Sequence, residues 1–196
     1  MTKVTRTRLA PEKRKRQLLD TASAMIVSEG LQSFTMEALA RKAGVTTPLV
    51  YNYFSNRPEL LHALLAQEYR TFNAQIQIEI QQAQSFEEIV FVFIRSNFDH
   101  FSAGNILPIL QSQPEILIGI RDEQRRNIRQ TAEYLVNITA KSFRLTIAEA
   151  ELVTTMSSSA SMAAAQHAAR LDVDRKEIID LAVTYVLAGM NAISEK

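Results

Sequence analysis

Apolar residues recur along this chain every three or four positions, which is the spacing of one helical face. Leu18, Ala22 and Met25 begin the series, and Gly30 marks the end of the first predicted helix. Further helices are predicted over 35–43, 47–54, from Pro58 through 80, 86–101, 122–143 and 147–170, and after Asp174, with short helical pieces in the region broken by the prolines at 108 and 114. The pattern predicts an all-α fold of about nine helices and no strand.

Residues 75–80, with the sequence Q-I-Q-I-E-I, alternate polar and apolar side chains as a strand would. We predict helix there, because the helical pattern leads into the segment and good helix formers follow it. Two further segments, S-F-E-E from Ser85 and T-I-A-E from Thr146, have the form of capping boxes that open helices.

Composition agrees with helices, since the chain has only 5 Gly and 5 Pro and no cysteine. Without cysteine there is neither a disulfide nor a thiolate metal site, and His62, His100 and His167 are scattered, so we expect no metal and no cofactor. The longest apolar run, residues 89–94, is far shorter than the roughly 20 residues of a membrane span. No apolar stretch follows the basic N-terminus, so we expect a soluble, cytoplasmic protein with no membrane partner.

The formal net charge of +1 conceals an uneven distribution. Residues 1–60 hold ten Lys and Arg against five acids, a balance of +5, whereas residues 61–196 hold twelve against sixteen, a balance of −4. A basic N-terminal third on an acidic body is typical of a module that meets a polyanion.

Residues 35–54, T-M-E-A-L-A-R-K-A-G-V-T-T-P-L-V-Y-N-Y-F, predict two short helices that cross closely. Thr35 is suited to cap the first helix, and Gly44 can take the left-handed conformation that ends it. Ala40 gives a small residue at the crossing, and Val50 gives an apolar anchor on the second helix. With the helix before them, these elements predict a three-helix DNA-binding domain.

The second helix of this motif has distinct inner and outer faces. Val50 and Phe54 point inward, which leaves Pro48, Tyr51 and Asn52 on the opposite face. Leu49 stands at its edge, and Thr46 and Thr47 stand at the helix N-terminus, where a phosphate is favoured. In the major groove an Asn amide suits adenine, and Leu or Thr methyl groups suit thymine. The alternative is that two amphipathic helices merely pack together.

Residues 12–66 resemble the DNA-binding region of TetR-family transcriptional regulators. The segments L-L-D-T-A-S-A-M-I-V-S-E-G, T-M-E-A-L-A-R-K-A-G-V and V-Y-N-Y-F-S-N-R-P-E-L-L carry the resemblance. The opening R-T-R-L-A-P-E-K-R-K-R-Q-L-L-D is also similar to the arm of the quorum-sensing master regulators of that family. Leu49 and Val50 depart from the residues usual in the family, which affects the expected base preference.

The resemblance implies a basic arm over 1–10, a helix-turn-helix domain over 11–57 and a helical ligand-binding and dimerisation domain over 58–196. It also implies a homodimer that represses transcription from a palindromic double-stranded DNA operator. The expected DNA contacts are Thr35, Thr46, Thr47, Pro48, Leu49, Tyr51, Asn52 and Tyr53, with Arg57 at a phosphate. Arg6 and Arg8 of the arm are expected to follow the backbone or enter the minor groove, unless the arm is only a solvated tail.

Two regions of the body are candidates for the dimer and for a ligand. Helices 147–170 and 174–193 are predicted to form the dimer interface, because small residues such as those between 157 and 165 allow close approach. They could instead pack only within one chain. A pocket for a small apolar or amphipathic effector is predicted from Phe93, Asn97, Phe98, His100, Phe101, Tyr134, Asn137 and Met156. The alternative is that this aromatic stripe is simply core.

Other functions lack the motifs that they would need. The chain has no Gly-rich phosphate loop, no G-x-S-x-G and no H-E-x-x-H, so we do not expect an enzyme. A non-specific architectural DNA-binding protein, or a global regulator that also activates, remains the alternative to a ligand-responsive repressor.

Overall fold

The computed structural model describes residues 9–102, 104–113, 116, 122–168 and 174–194, and no strand occurs among them. The helices of this part of the chain are α1 Pro11–Glu29, α2 Met36–Lys42, α3 Thr47–Tyr51, α4 Arg57–Gln82, α5 Phe86–Phe101, α6 Ile106–Gln111, α7 Asp122–Phe143, α8 Ile147–Ala168 and α9 Arg175–Ser194. The prediction of an all-α fold with about nine helices is confirmed. Arg6, Arg8, Pro114 and the end of the predicted helix 147–170 lie outside the described residues.

The ambiguous segment at residues 75–80 is helical and belongs to α4. Ile76 and Ile80, four positions apart, are buried, whereas Ile78 between them is 61% exposed. A strand would have put all three isoleucines on one face. The helical period therefore prevails over the apparent alternation.

The chain divides into two compact units, residues 1–64 and residues 65–196. The division falls inside α4, whereas the predicted domain boundary stood at the start of that helix. The leucines of the first turns of α4, Leu60, Leu61 and Leu64, are all buried.

One core cluster of the second unit is formed by α5, α8 and α9. It joins the inner faces of these helices through Val90, Ile94, Phe98, Val153, Ala165, Ile178, Ile179, Val186 and Met190. The predicted cap of α8 is present: Glu149 accepts hydrogen bonds from the Thr146 amide at 2.8 Å and from its hydroxyl at 2.7 Å. The Glu149 amide in turn donates to the Thr146 hydroxyl at 3.3 Å.

Two pairs of buried polar side chains in this interior are hydrogen-bonded across helices. The Asn97 amide donates to the Ser161 hydroxyl at 2.6 Å, and the Thr131 hydroxyl donates to the Asn73 side chain at 3.0 Å.

Burial raises the pKa of the Tyr69 phenol above its ordinary value, with a smaller opposing effect from its hydrogen bond with Gln111. That phenol therefore stays neutral at physiological pH.

Candidate DNA-binding face and ligand cavity

The turn between α2 and α3 is set by a Schellman motif. The Val45 amide donates to the Ala40 carbonyl at 2.9 Å, and the Gly44 amide donates to the Arg41 carbonyl at 3.3 Å. Gly44 has φ of +66°, the left-handed conformation predicted for it. These bonds satisfy the last carbonyls of α2 and direct the chain into α3.

The N-terminus of α2 is capped as predicted. Thr35 is extended, and its side-chain oxygen accepts a hydrogen bond of 3.0 Å from the Ala38 amide. The residue is exposed, and its hydroxyl proton is not used by this cap, so the same group can donate to a phosphate oxygen.

Helix α3 presents the outer face that the sequence predicts. Val50 and Phe54 are 0% and 1% exposed and anchor the motif inward. Thr46, Pro48 and Asn52 are exposed, and Thr47 and Leu49 are half-buried beside them. The helix is shorter than the predicted 47–54, because Asn52 is already its C-cap.

The two tyrosines beside this face differ in exposure. Tyr51 is 44% exposed, and its phenol lies 3.5 Å from a carboxylate oxygen of Glu37 on α2. Tyr53 is half-buried. Of the two, Tyr51 offers the more accessible hydroxyl for a DNA backbone.

Arg57 is held by the backbone of its own unit. Its Nε donates to the Phe34 carbonyl at 3.2 Å, and its Nη2 donates to the Leu31 carbonyl at 2.9 Å. Its guanidinium also lies 6.0 Å from the centre of the Phe34 ring. The side chain thus ties the start of α4 to the connection between α1 and α2, and the N–H groups not used in these bonds are what it can offer a phosphate.

The start of α1 continues the basic character of the arm. Lys13 and Lys15 are exposed, and the Lys15 ammonium lies 5.9 Å from the centre of the Phe54 ring. Arg14 is half-buried and donates to the Gln17 side chain at 2.5 Å.

The predicted pocket residues on α5 mostly form core. Phe98 and Phe101 are each 2% exposed, and Phe101 packs edge-on against Phe72 with ring centres 5.5 Å apart. His100 also packs against Phe72, and one of its ring nitrogens lies 3.2 Å from the Ser96 carbonyl oxygen. The amide nitrogen of Asn97 is engaged with Ser161.

The predicted pocket residues on α7 and α8 do not join that cluster. Tyr134 and Met156 are 45% and 58% exposed, and Asn137 is also exposed. Tyr134 lines a surface recess with residues of α4, and Met156 lines a groove between α8 and α9. The structure therefore does not bring the eight predicted residues together around one space.

A small cavity of about 30 Å³ lies among α5, α7, α8 and α9. Phe93 is the predicted residue that lines it. The others, which sequence reasoning missed, are Phe86, Ile89, Val90, Ile94, Leu135, Thr139, Thr154, Ser157, Ser158, Val186 and Met190. On α5, the spacing of Phe86, Ile89, Val90 and Phe93 indicated an apolar face, but nothing in the sequence showed that Thr154 would lie opposite it.

The described residues contain neither a cluster of metal ligands nor a membrane-spanning helix. Within these ranges there is no group of three or more His, Asp and Glu side chains that could hold a metal ion. In the same part of the chain, no helix has both the length and the hydropathy of a membrane span.

A capped helix, a Schellman turn and a short second helix with an exposed polar face define a helix-turn-helix protein. Residues 18–64 match the family model described as "Bacterial regulatory proteins, tetR family". This N-terminal segment is therefore similar to the DNA-binding domain of the TetR family, as the sequence resemblance predicted.

Two curated relatives match the same end of the chain. The HTH-type transcriptional regulator SrpR of Pseudomonas putida is 29% identical over 83 residues, which are 42% of this chain and 39% of SrpR. The uncharacterized HTH-type transcriptional regulator TtgW, also of Pseudomonas putida, is 32% identical over 85 residues, 43% of this chain and 63% of TtgW. The matches thus span less than two thirds of these relatives, which are described as regulators and not as enzymes.

The fold extends the likeness to the rest of the chain. The TetR-like transcriptional regulator LfrR of Mycobacterium smegmatis, solved in complex with proflavine, superposes with a TM-score of 0.66 at 20% identity. The superposition covers 92% of this chain and 98% of LfrR. The second unit therefore has the same helical fold as the corresponding part of LfrR.

Proposed function

We propose that this protein is a DNA-binding regulator of transcription that reads a palindromic operator as a homodimer. The observation that carries the proposal is the outer face of α3, where Thr46, Pro48 and Asn52 are exposed behind a turn fixed by Gly44. The family match and the regulators among the relatives support it.

The proposed DNA contacts divide into those to the bases and those to the backbone. Asn52 and Thr46 reach base edges in the major groove, where an Asn amide pairs with adenine and a Thr methyl contacts thymine. Thr47, Pro48 and Leu49 complete the base-facing set. Thr35, Tyr51, Tyr53 and Arg57 hold the backbone, and Arg6 and Arg8 of the arm add sequence-independent contacts.

The dimer is supported by apolar stripes on the outer faces of α8 and α9. Leu152 and Met156 on α8 are 62% and 58% exposed, and Leu181 and Tyr185 on α9 are 70% and 69% exposed. On both helices the stripe continues with small exposed residues at the next two positions of the same face, Ser159 and Ala163 on α8 and Ala188 and Ala192 on α9. Their opposite faces pack within the chain, so a second copy is the partner proposed for the outer faces.

A small apolar or amphipathic effector would act on this regulator by preferring one of its conformations. Two observations support an effector: the cavity in the second unit, and the proflavine complex of LfrR. Helix α4 runs without a break through residues of both units, and is the element through which we propose that the effector lowers operator affinity. Repression in the cytoplasm is the mode of action that we propose.

The test is footprinting on the DNA upstream of the protein's own gene, followed by binding measurements on any protected site. A discrete protected palindrome is expected. Asn52→Ala should weaken binding to that site about 5- to 150-fold, which is the loss expected for one bidentate base contact. The affinity of this variant for unrelated DNA should equal that of the unmodified protein. Thr71→Ala, which changes an exposed threonine of α4 in the second unit, is the control and should leave both affinities unchanged.

The footprint also tests the alternative of a non-specific architectural protein. Uniform protection without a discrete site, with Asn52→Ala weakening no sequence selectively, would favour that alternative and contradict the proposal. A reporter placed behind the protected site then separates repression from activation.

A further inference from the structure

Thr154, which lines the small cavity of the second unit, has an unpaired hydroxyl group. Thr154 on α8 is 7% exposed, and its Oγ1 is buried with no hydrogen-bond partner among the described residues. A helical threonine commonly bonds its hydroxyl to a carbonyl one turn earlier, and here it does not. Buried polar groups without a partner are uncommon in folded proteins, because they lose their bonds with water and gain none.

The rest of the cavity wall is uncharged. Aliphatic and aromatic side chains of α5, α7 and α9 surround the space, and Thr139, Ser157 and Ser158 are the other polar residues in its described lining. A carboxylate or an ammonium group would find no partner of opposite charge among these lining residues, and desolvating it would be very costly. The wall therefore selects a neutral molecule.

The cavity adjoins a larger groove on the outside of the unit. The groove between α8 and α9 has a volume of about 290 Å³ and includes Ser157, Val186 and Met190, which also line the cavity. Met190 is 5% exposed, and its flexible, unbranched side chain can change conformation at low cost. A ligand larger than the cavity can thus be accommodated when Met190 moves toward the groove. Met156 and Tyr185 of the groove wall belong to the stripes proposed for the dimer, so we place the ligand on the inner side of Met190.

We propose that the effector is a small uncharged molecule that hydrogen-bonds to the Thr154 hydroxyl through one polar atom and buries its apolar part in the cavity, which widens when Met190 moves. This inference rests on the proposed function, because it names the class of ligand that the regulator senses. The effector satisfies the hydroxyl that is left unpaired in the described part of this wall, and the apolar lining supplies the rest of the affinity.

Three probes with the same ring separate the chemistry of the site: benzyl alcohol, toluene and benzoate. Titrations followed by amide and methyl NMR shifts should show benzyl alcohol binding most tightly and benzoate most weakly, with shifts at Val90 and Met190. Thr154→Val, which is nearly isosteric, should weaken benzyl alcohol about 3- to 10-fold and leave toluene unchanged or tighter, because a hydrogen bond to a neutral group is worth roughly that factor. Thr154→Ser keeps the hydroxyl and should retain the preference.

Thr155→Val alters the next residue of α8, which is exposed, and is the matched control. The inference is overturned if Thr154→Val weakens all three probes equally, if it weakens none, or if the shifts fall outside the residues that line the cavity. Footprinting with the same protein tests the proposed function independently of probe binding. Failed probe binding with an intact footprint removes only the inference, whereas probe binding without a footprint removes the operator function.

Discussion

The Asn97 side chain donates a hydrogen bond of 2.6 Å to the Ser161 hydroxyl, joining α5 to α8 in the interior of the second unit. Both residues are 1% exposed. Ser161→Ala should lower the free energy of unfolding by about 1–3 kcal/mol, because it leaves a buried amide N–H unpaired. Urea denaturation measures the change.

A matched control for this pair is Ser142→Ala, which removes an exposed serine hydroxyl from α7. It should change the free energy of unfolding by less than about 0.5 kcal/mol. The double variant Asn97→Leu with Ser161→Ala should recover part of the loss, since it removes both polar groups. Equal stability of the two serine variants would contradict a structural role for the bond.

Arg57 should be sensitive even to replacement by lysine. Lysine keeps the charge but cannot donate to the Leu31 and Phe34 carbonyls in the geometry of the guanidinium fork. Arg57→Lys should therefore lower the thermal stability of the first unit, by about 1–2 kcal/mol at the melting temperature, and weaken operator binding. Differential scanning calorimetry and fluorescence anisotropy measure the two effects.

The control for Arg57 is Arg41→Lys, at an exposed position near the end of α2. It should leave the melting temperature nearly unchanged. If Arg57 served only as a positive charge near a phosphate, Arg57→Lys would retain both stability and affinity.

Gly44→Ala should destabilise the motif through its backbone alone. A Cβ at this position would meet nothing within 4 Å, but φ of +66° costs a residue with a side chain about 1–2 kcal/mol. Gly44→Asn should cost less, because Asn adopts this conformation more readily. Both variants are compared with the unmodified protein by chemical denaturation.

Gly189→Ala gives the opposite result for the same chemical change. Gly189 lies inside α9, also with open space around an added methyl group, and a helical glycine is about 0.5–1 kcal/mol less favourable than alanine. This variant should be slightly more stable than the unmodified protein. Equal effects at Gly44 and Gly189 would show that the left-handed backbone is not the cause.

The dimer can be tested on its most exposed stripe. Replacing both Leu181 and Tyr185 by Glu should give a folded monomer in analytical ultracentrifugation at micromolar concentration, with operator affinity strongly reduced. Ile78→Glu, at an apolar residue of α4 that is 61% exposed, should sediment as the unmodified protein does. A double variant that remains dimeric, or an unmodified protein that is monomeric, would place the interface elsewhere or remove it.

Local signals were sufficient to predict the helices and the turn of the DNA-binding motif. Thr35, Gly44 and the Thr146 cap act on backbone groups within a few residues, so their roles can be inferred from short segments. The alternation of polar and apolar residues at 75–80 did not cause a wrong prediction, because the helical pattern leads into this segment and good helix formers follow it.

The pocket was harder to predict, because it depends on which face of each helix turns inward. Small residues surround much of α8, so its sequence does not distinguish the inner Thr154 from the outer Met156. Asn97 meets Ser161 from 64 positions away, and Arg57 meets the Leu31 carbonyl from 26 positions away. Such pairs follow from tertiary packing and have no local signature.

The exposed stripe at Leu181 and Tyr185 has a consequence for gene control. If operator binding needs two copies, and the copies separate at the protein's cellular concentration, then promoter occupancy rises with the square of the amount synthesised. Halving expression would then reduce occupancy about fourfold at low saturation. The dimerisation affinity that this helix face provides would set the protein concentration at which the regulated genes respond, independently of any effector.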